Sequence, residues 1–276
     1  MSEPGPPLYL GACMTYKNHA SYLEEWIEFH KLAGFERFYL YDNGSDDDHA
    51  AVLAPYVEEG SVVAHHFPGV KQRYAALDHC VATYKDDARW IAFIDVDEFL
   101  FSPSGSPVSE ILRDYEEFSA VGVNSAVFGT AGHKSRPSGP VIENFQMRGP
   151  LRHRAIKSIV DPKRTIRCVG GHNFVYETGH AVDLTKRPID GPRTDKFVRE
   201  GEDLLRLNHY YTKSEEELRE KWSVPRPDTG DMRDPAEYER LVSLPNEIRD
   251  EKILIYVPEL KEALRRRAEA NGKISI

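Results

Sequence analysis

Trp90-Ile91-Ala92-Phe93-Ile94-Asp95-Val96-Asp97-Glu98-Phe99-Leu100-Phe101 is an apolar run interrupted by three acidic residues. Residues 90–94 are apolar on both faces, the pattern of a strand at the centre of a parallel sheet covered by helices. Carboxylates beside such a strand cost several kcal/mol unless compensated, and a divalent cation compensates them well. In an open α/β sheet, ligands bind beyond the carboxyl ends of the strands, where Asp95 and Asp97 fall. Separated by one residue in extended backbone, the two carboxylates point the same way and can share one hard cation, Mn2+ or Mg2+. The alternative is that these acids cap the next element or pair with arginines at the sheet edge.

Upstream, strand and helix periods alternate. Leu8 to Met14 reads as a buried strand, and Tyr22, Leu23, Trp26, Ile27 and His30 recur at helical spacing with Glu24, Glu25 and Glu28 opposite. Arg37 to Tyr41 is a second strand, with Ser45 and Asp48 at capping-box spacing before Ala51, Leu53 and Val57. Ser61 to Ala64 is a third, followed by a helix carrying Tyr74, Leu77, Val81 and Tyr84. Alternation of this kind means a doubly wound α/β sandwich. Downstream, Val121–Val123 and Ala155–Val160 read as strands, Ser214 and Glu217 as a capping box opening a helix, the polar stretch 225–234 as a surface loop or lid, and 259–270 as a last helix.

The chain has 276 residues, 40% of them hydrophobic, which suits one large domain. The expected organisation is a flexible stretch at 1–7, a catalytic domain over 8–250 (a nucleotide-binding half at 8–101 and an acceptor half at 102–250) and a helical tail at 251–276. A net charge of −9 argues against nucleic acid as a partner. Three scattered cysteines fit a reducing compartment. The amino terminus has no signal-like apolar run, so the expectation is a cytoplasmic protein or a catalytic domain cut from something larger. Arg265-Arg266-Arg267 beside Leu260 and Leu264 makes peripheral contact with the inner face of a membrane conceivable.

Six blocks in order, Tyr22–His30, Tyr39–Asp47, Phe93–Phe99, Phe128–His133, Lys157–Pro162 and Asn208–Ser214, resemble the nucleotide-sugar transferases of glycosyltransferase family 92 and related bacterial family 2-like enzymes. That resemblance runs from about Leu10 to Lys221. It implies a GT-A-type, Rossmann-like α/β/α sandwich with a mainly parallel central sheet. The implied activity is sugar transfer from a nucleotide-diphosphate donor, UDP-hexose favoured, to a glycan or lipid-linked acceptor, with inversion. It further implies that Asp97 ligates the metal, that Asp95 holds the ribose or a metal-bound water, and that His209 is a third metal ligand. The bland alternative for His209 is a hydrogen-bonded structural histidine.

For the donor, Thr15, Tyr16 and Asn18 follow the first strand and Asp42 the second, so a uracil-type base could stack on Tyr16 while Asp42 accepts hydrogen bonds. Asp46 to Asp48 are expected to favour the following helix terminus. Gln72 and Arg73 open the third helix facing the nucleotide. The leaving diphosphate needs cations, for which Lys157 and Arg148 are candidates. Glu143, flanked by apolar residues, is the candidate base, with Asp190 and Asp195 as competitors. His133 and His172, in glycine-flanked turns, are candidate acceptor contacts. Where relatives carry a Trp-Arg pair, Ser125-Ala126 stands here. A metal-dependent nucleotidyl or phosphoryl transferase, or a non-catalytic binding module, are the other readings.

Overall fold

The computed structural model describes residues 8–171, 173–193, 203–226, 230–243 and 246–272, without the side chains of 151–153, 240 and 243. In chain order the first half comprises β1 Leu8–Tyr16, α1 Ala20–Leu32, β2 Arg37–Asp42, α2 His49–Glu58, β3 Val62–His66, α3 Arg73–Tyr84, β4 Ala88–Phe93 and β5 Glu98–Phe101. The second half comprises α4 Val108–Leu112, β6 Ala120–Phe128, α5 Val141–Asn144, β7 Met147–Val160, β8 Thr165–Val169, β9 Asn173–Tyr176, β10 Ala181–Val182 and β11 Pro188–Ile189. β12 Arg206–His209, α6 Glu215–Ser223, α7 Pro235–Ser243, β13 Ile248–Arg249 and α8 Val257–Ala270 complete it.

The expected α/β/α sandwich is the architecture found. β3, β2, β1 and β4 lie side by side and parallel, with Cys13 opposite Tyr39 on one side and Phe93 on the other. β7 joins β4 antiparallel and leads to β6. β12 then lies parallel to β6 and antiparallel to β5. This last pairing positions the site, because it sets His209 opposite Glu98.

Both sheet faces are covered. Trp26, Ile27 and Phe29 of α1 pack with Phe38, Trp90 and Phe99 on one side, while Leu77, Cys80 and Val81 of α3 pack with Tyr39, Ile91 and Phe93 on the other. Burial follows position: the central strands β1, β2 and β4 are buried along almost their whole length, and the edge strand β3 alternates.

Four expectations are corrected. Glu25 and Glu28 are not on a solvated face but buried, Glu25 accepting the amides of Val141 and Ile142 and Glu28 paired with Arg267. Ser45 does not cap α2; its hydroxyl accepts the Asn18 amide, and the helix begins after Asp48 with no side-chain cap. Asp47 serves α1 rather than α2 alone, accepting the Ala20 amide at 2.8 Å. The segment after 250 is not a loose tail, since Leu260 and Tyr256 are buried in the main core and Arg267 bridges to Glu28 and Glu59. Ser214 and Glu217 do form the reciprocal capping box at α6. α7 lies just past the stretch read as a lid, of which 227–229 fall outside the described residues.

Candidate active site

The chain leaves β4 at Phe93 and turns through Asp95, Val96 and Asp97 before β5. Three unrelated elements hold this turn. The buried Trp26 indole on α1 donates to the carbonyls of Asp95 at 3.1 Å and Glu98 at 3.0 Å. Glu98 accepts the Asp95 amide at 2.8 Å, and the Asp97 carbonyl accepts the amide of Tyr210, just past β12, at 2.8 Å. A turn fixed from α1, β5 and β12 keeps both aspartates at the carboxyl edge of the sheet.

Asp95 is tied to protein cations. Arg73, the first residue of α3, donates to its two oxygens at 2.7 and 3.0 Å, and Lys157 on β7 donates at 2.6 Å while also reaching Glu98 at 3.0 Å. Burial alone would raise the Asp95 carboxyl, but Arg73 and Lys157 hold it well below the usual carboxylate range. Lys157 is in turn raised: burial opposes its charge, and Asp95 and Glu98 outweigh that.

Asp97 has a different shell. His209 Nε2 lies 3.3 Å from one oxygen and Lys221 Nζ, from α6, 2.9 Å from the other. Against burial, Lys221 and His209 hold this carboxyl well below its ordinary value. Two ligands in neighbouring positions on one ion, each about 2.1 Å from it, stand roughly 3 Å apart. The Asp97–His209 separation fits such a pair, and a carboxylate with an imidazole could serve a divalent cation. Asp95, clasped by Arg73 and Lys157, is not placed to be an equal ligand. Among the described residues no three His, Cys, Asp or Glu side chains close into a complete cage. Mg2+-type ions commonly take one or two carboxylates and let substrate phosphates and water supply the rest.

Around the nucleotide edge, Asn18, at φ 56, accepts the Asp46 amide through its side chain and so stitches the loop after β1 to the loop after β2. Thr15 lies beside it near the end of β1, half-buried. Asp42 is already satisfied by protein: it accepts the Ser45 amide at 2.8 Å and His66 Nδ1 at 2.9 Å. Burial opposes its ionisation, yet Ser45 and His66 bring its carboxyl below the usual value. Tyr16 is only 4% exposed, edge-on to His49 at 5.6 Å, which leaves no open ring face for the stacking expected of it. Tyr16, Asp42, His49, Leu53 and His66 line an open cavity of about 410 Å³. Gln72 sits at the start of α3, its side chain folded towards Gly69 rather than capping the helix.

The expected acceptor side is rearranged. Glu143 does not sit in an apolar pocket: α5 is one short turn, and the carboxylate, about a third exposed, pairs with Lys261 on α8 at 2.5 Å. His133 is half-buried and bonds the Asn144 carbonyl at 3.2 Å, ring edge against Phe145, so it braces its own loop. Arg148 is buried against Asp250 at 2.7 Å and is not available to a diphosphate. Asp190 is exposed, while His172 and Asp195 lie outside the described residues. Ser125 and Ala126 are buried in β6 beside β12. Arg265 and Arg266 pair with Glu262 while staying more than half exposed, and Arg267 pairs with Glu28 and Glu59.

Sequence reading left Glu98, Lys221 and Lys213 without roles. Lys213 lies in the Asn208–Ser214 block and Lys221 at helical spacing after the Ser214 cap, so the signal was two lysines placed after His209. Lys213 is 8% exposed, and its Nζ sits 3.6 Å from the centre of the Tyr22 ring. Burial, with Lys221 and Arg136 nearby, pulls it down to about 8 despite Asp97. Burial likewise takes His19, in the same corner, down to about 4.

The family model for glycosyltransferase family 92 matches residues 9–226. A family 92 protein of Oryza sativa subsp. japonica is 30% identical over 221 residues, covering 76% of this chain and 34% of its own length. One from Ricinus communis is 28% identical over 229 residues, covering 80% and 39%. A galactan β-1,4-galactosyltransferase of Arabidopsis thaliana is 31% identical over 122 residues, covering 41% and 24%. The chain thus spans little more than a third of the length of the first two relatives. Among solved structures, S. aureus TarS 1–349 in complex with UDP aligns with a TM-score of 0.39 at 9% identity, covering 56% of this chain and 47% of that one.

Proposed function

The chain belongs to glycosyltransferase family 92, and we propose that it transfers a hexose from a UDP-linked donor to a hydroxyl of a glycan or lipid-linked acceptor, with inversion, using Mn2+ or Mg2+ at Asp97 and His209. The observation that carries this reading is the Asp97–His209 pair at 3.3 Å, set at the carboxyl end of β4 beside a neutralised Asp95. When bound there, the ion would neutralise the donor's diphosphate and stabilise it as a leaving group.

The chain's own residues do the rest. Trp26 and Glu98 fix the turn, so Asp97 is presented without reorganisation. Arg73 and Lys157 keep Asp95 ionised, leaving it able to accept a hydrogen bond from the donor's ribose or a water. Lys221 occupies the second Asp97 oxygen and must shift as the donor enters; at 28% side-chain exposure on α6 it has room to do so. The open cavity by Asp42 supports a place for the base, with His66 and His49 at its rim rather than a stacked Tyr16. A β-linkage, as in the name of the galactan-forming relatives, is what inversion of an α-linked UDP-hexose gives.

Incubation with UDP-galactose, UDP-glucose and oligosaccharide acceptors, following UDP release and product anomeric configuration by NMR, tests this. UDP release that needs Mn2+ or Mg2+ and stops with chelator is expected; release of UMP or inorganic phosphate instead would point to phosphoryl or nucleotidyl transfer.

A further inference from the structure

The ionised groups around the aspartate turn nearly cancel. Asp95 and Glu98 face Arg73 and Lys157, and Asp97 faces Lys221. Lys213 remains as a surplus. The residue is 8% exposed, its ammonium lies in the field of Asp97, and the Tyr22 ring packs against it. Among the described residues no oxygen accepts a hydrogen bond from it. Arg136, the other cation over Tyr22, donates to the Ser21 carbonyl and faces Glu25.

Two costs converge on this residue. An ammonium drawn largely out of water with no oxygen partner is unfavourable. Its backbone also stands at φ 49, a left-handed conformation that is strained for a side-chain-bearing residue. The Ser214–Glu217 capping box immediately after it holds the chain in that conformation. A strained, largely buried cation beside paired carboxylates is prepared for an anion that arrives during turnover.

We propose that Lys213 is a catalytic residue that takes up the charge released on the leaving phosphate, an assignment that rests on the glycosyl-transfer reading. In the transfer, the acceptor oxygen bonds the sugar's anomeric carbon as the bond from that carbon to the phosphate oxygen breaks. The electron pair goes to that oxygen, and the acceptor's proton passes to solvent or a base. An intact nucleotide-sugar diphosphate carries about two negative charges and the released diphosphate about three near neutral pH. Among the described protein cations around this turn, Lys213 is the one not paired with a carboxylate, and it adds to the charge of an ion at Asp97.

Calorimetric titration of UDP, and of a UDP-galactose analogue with methylene in place of the glycosidic oxygen, each with Mn2+, tests this on wild type, Lys213→Met and Lys213→Arg. The methionine variant should weaken UDP about 10- to 100-fold, as expected for a lost charge-assisted hydrogen bond, and the analogue by no more than about threefold. Lys213→Arg should recover most of the loss. Equal losses for both ligands, or unchanged UDP binding, would overturn the assignment. If wild type binds neither ligand, the glycosyl-transfer reading itself has failed. Thermal melts accompany each variant, and Lys213→Gln replaces the methionine variant if that one melts early.

Discussion

Two buried ion networks in this molecule use the same chemistry to different ends. In one, Asp250 accepts from Arg148 and Arg206, both at 2.7 Å, with all three side chains at most 4% exposed. In the other, the side chains of Asp97, His209 and Lys221 are 12%, 19% and 28% exposed and carry Lys213 as an unmatched charge beside them. The first ties the segment after β13 to β7 and β12 and admits nothing from outside. The second is reachable and unbalanced. What separates the structural network from the proposed catalytic one is therefore access and surplus charge, rather than burial of charge as such.

The sharpest way to break that comparison is Asp250→Ala. Stranding two buried guanidinium groups should cost about 3–5 kcal/mol. At roughly 2–4 °C per kcal/mol for a chain near this size, the melting temperature should fall by about 6–20 °C. A change below about 2 °C would show that the Asp250 network does not bear on folding. Asp97→Asn is the converse: transfer should drop on the order of 100-fold or more, the scale seen when one preorganised electrostatic group is lost, with melting shifted by under about 2 °C. Wild-type turnover in that variant would remove Asp97 from the site.

Glu25 offers a third treatment of a buried charge. Burial pushes its carboxyl up to about 7, offset only partly by the Val141 and Ile142 amides. A folded-state value raised above the unfolded one gives stability that is complete below the ordinary glutamate range and is lost as pH rises through about 7. Between pH 5 and 8, wild type should lose about 2 kcal/mol relative to Glu25→Gln, read from melts across that range. Parallel pH profiles would show that Glu25 is ionised throughout. The smallest effect belongs to Glu143→Gln: its exposed pair with Lys261 should contribute less than about 1 kcal/mol, and transfer should stay within about twofold. A loss beyond tenfold would restore Glu143 as the base.

Much of the first half was legible because its signals are local. Strand–helix alternation placed β1 to β4, and the acidic break after an apolar strand marked Asp95 and Asp97. Contacts across long sequence distance were not legible: Lys221 meets Asp97 from 124 residues away, and Arg267 meets Glu28 from 239. Glu143 misled for a related reason. Its sequence neighbours are apolar, but in a four-residue helix only Val141 and Ile142 turn inward, and the carboxylate is left facing α8. Helical spacing placed Glu25 on a polar face, whereas the first turn of α5 lies against it and supplies two amides that no local pattern announces.

The central claim is that Asp97 and His209 hold a divalent ion against a nucleotide diphosphate. Calorimetric titration of UDP and GDP with and without Mn2+, on wild type and Asp97→Ala, tests it most directly. UDP binding that depends on Mn2+ and disappears in the variant is the predicted result; binding indifferent to the metal, or no binding of either nucleotide, would contradict it.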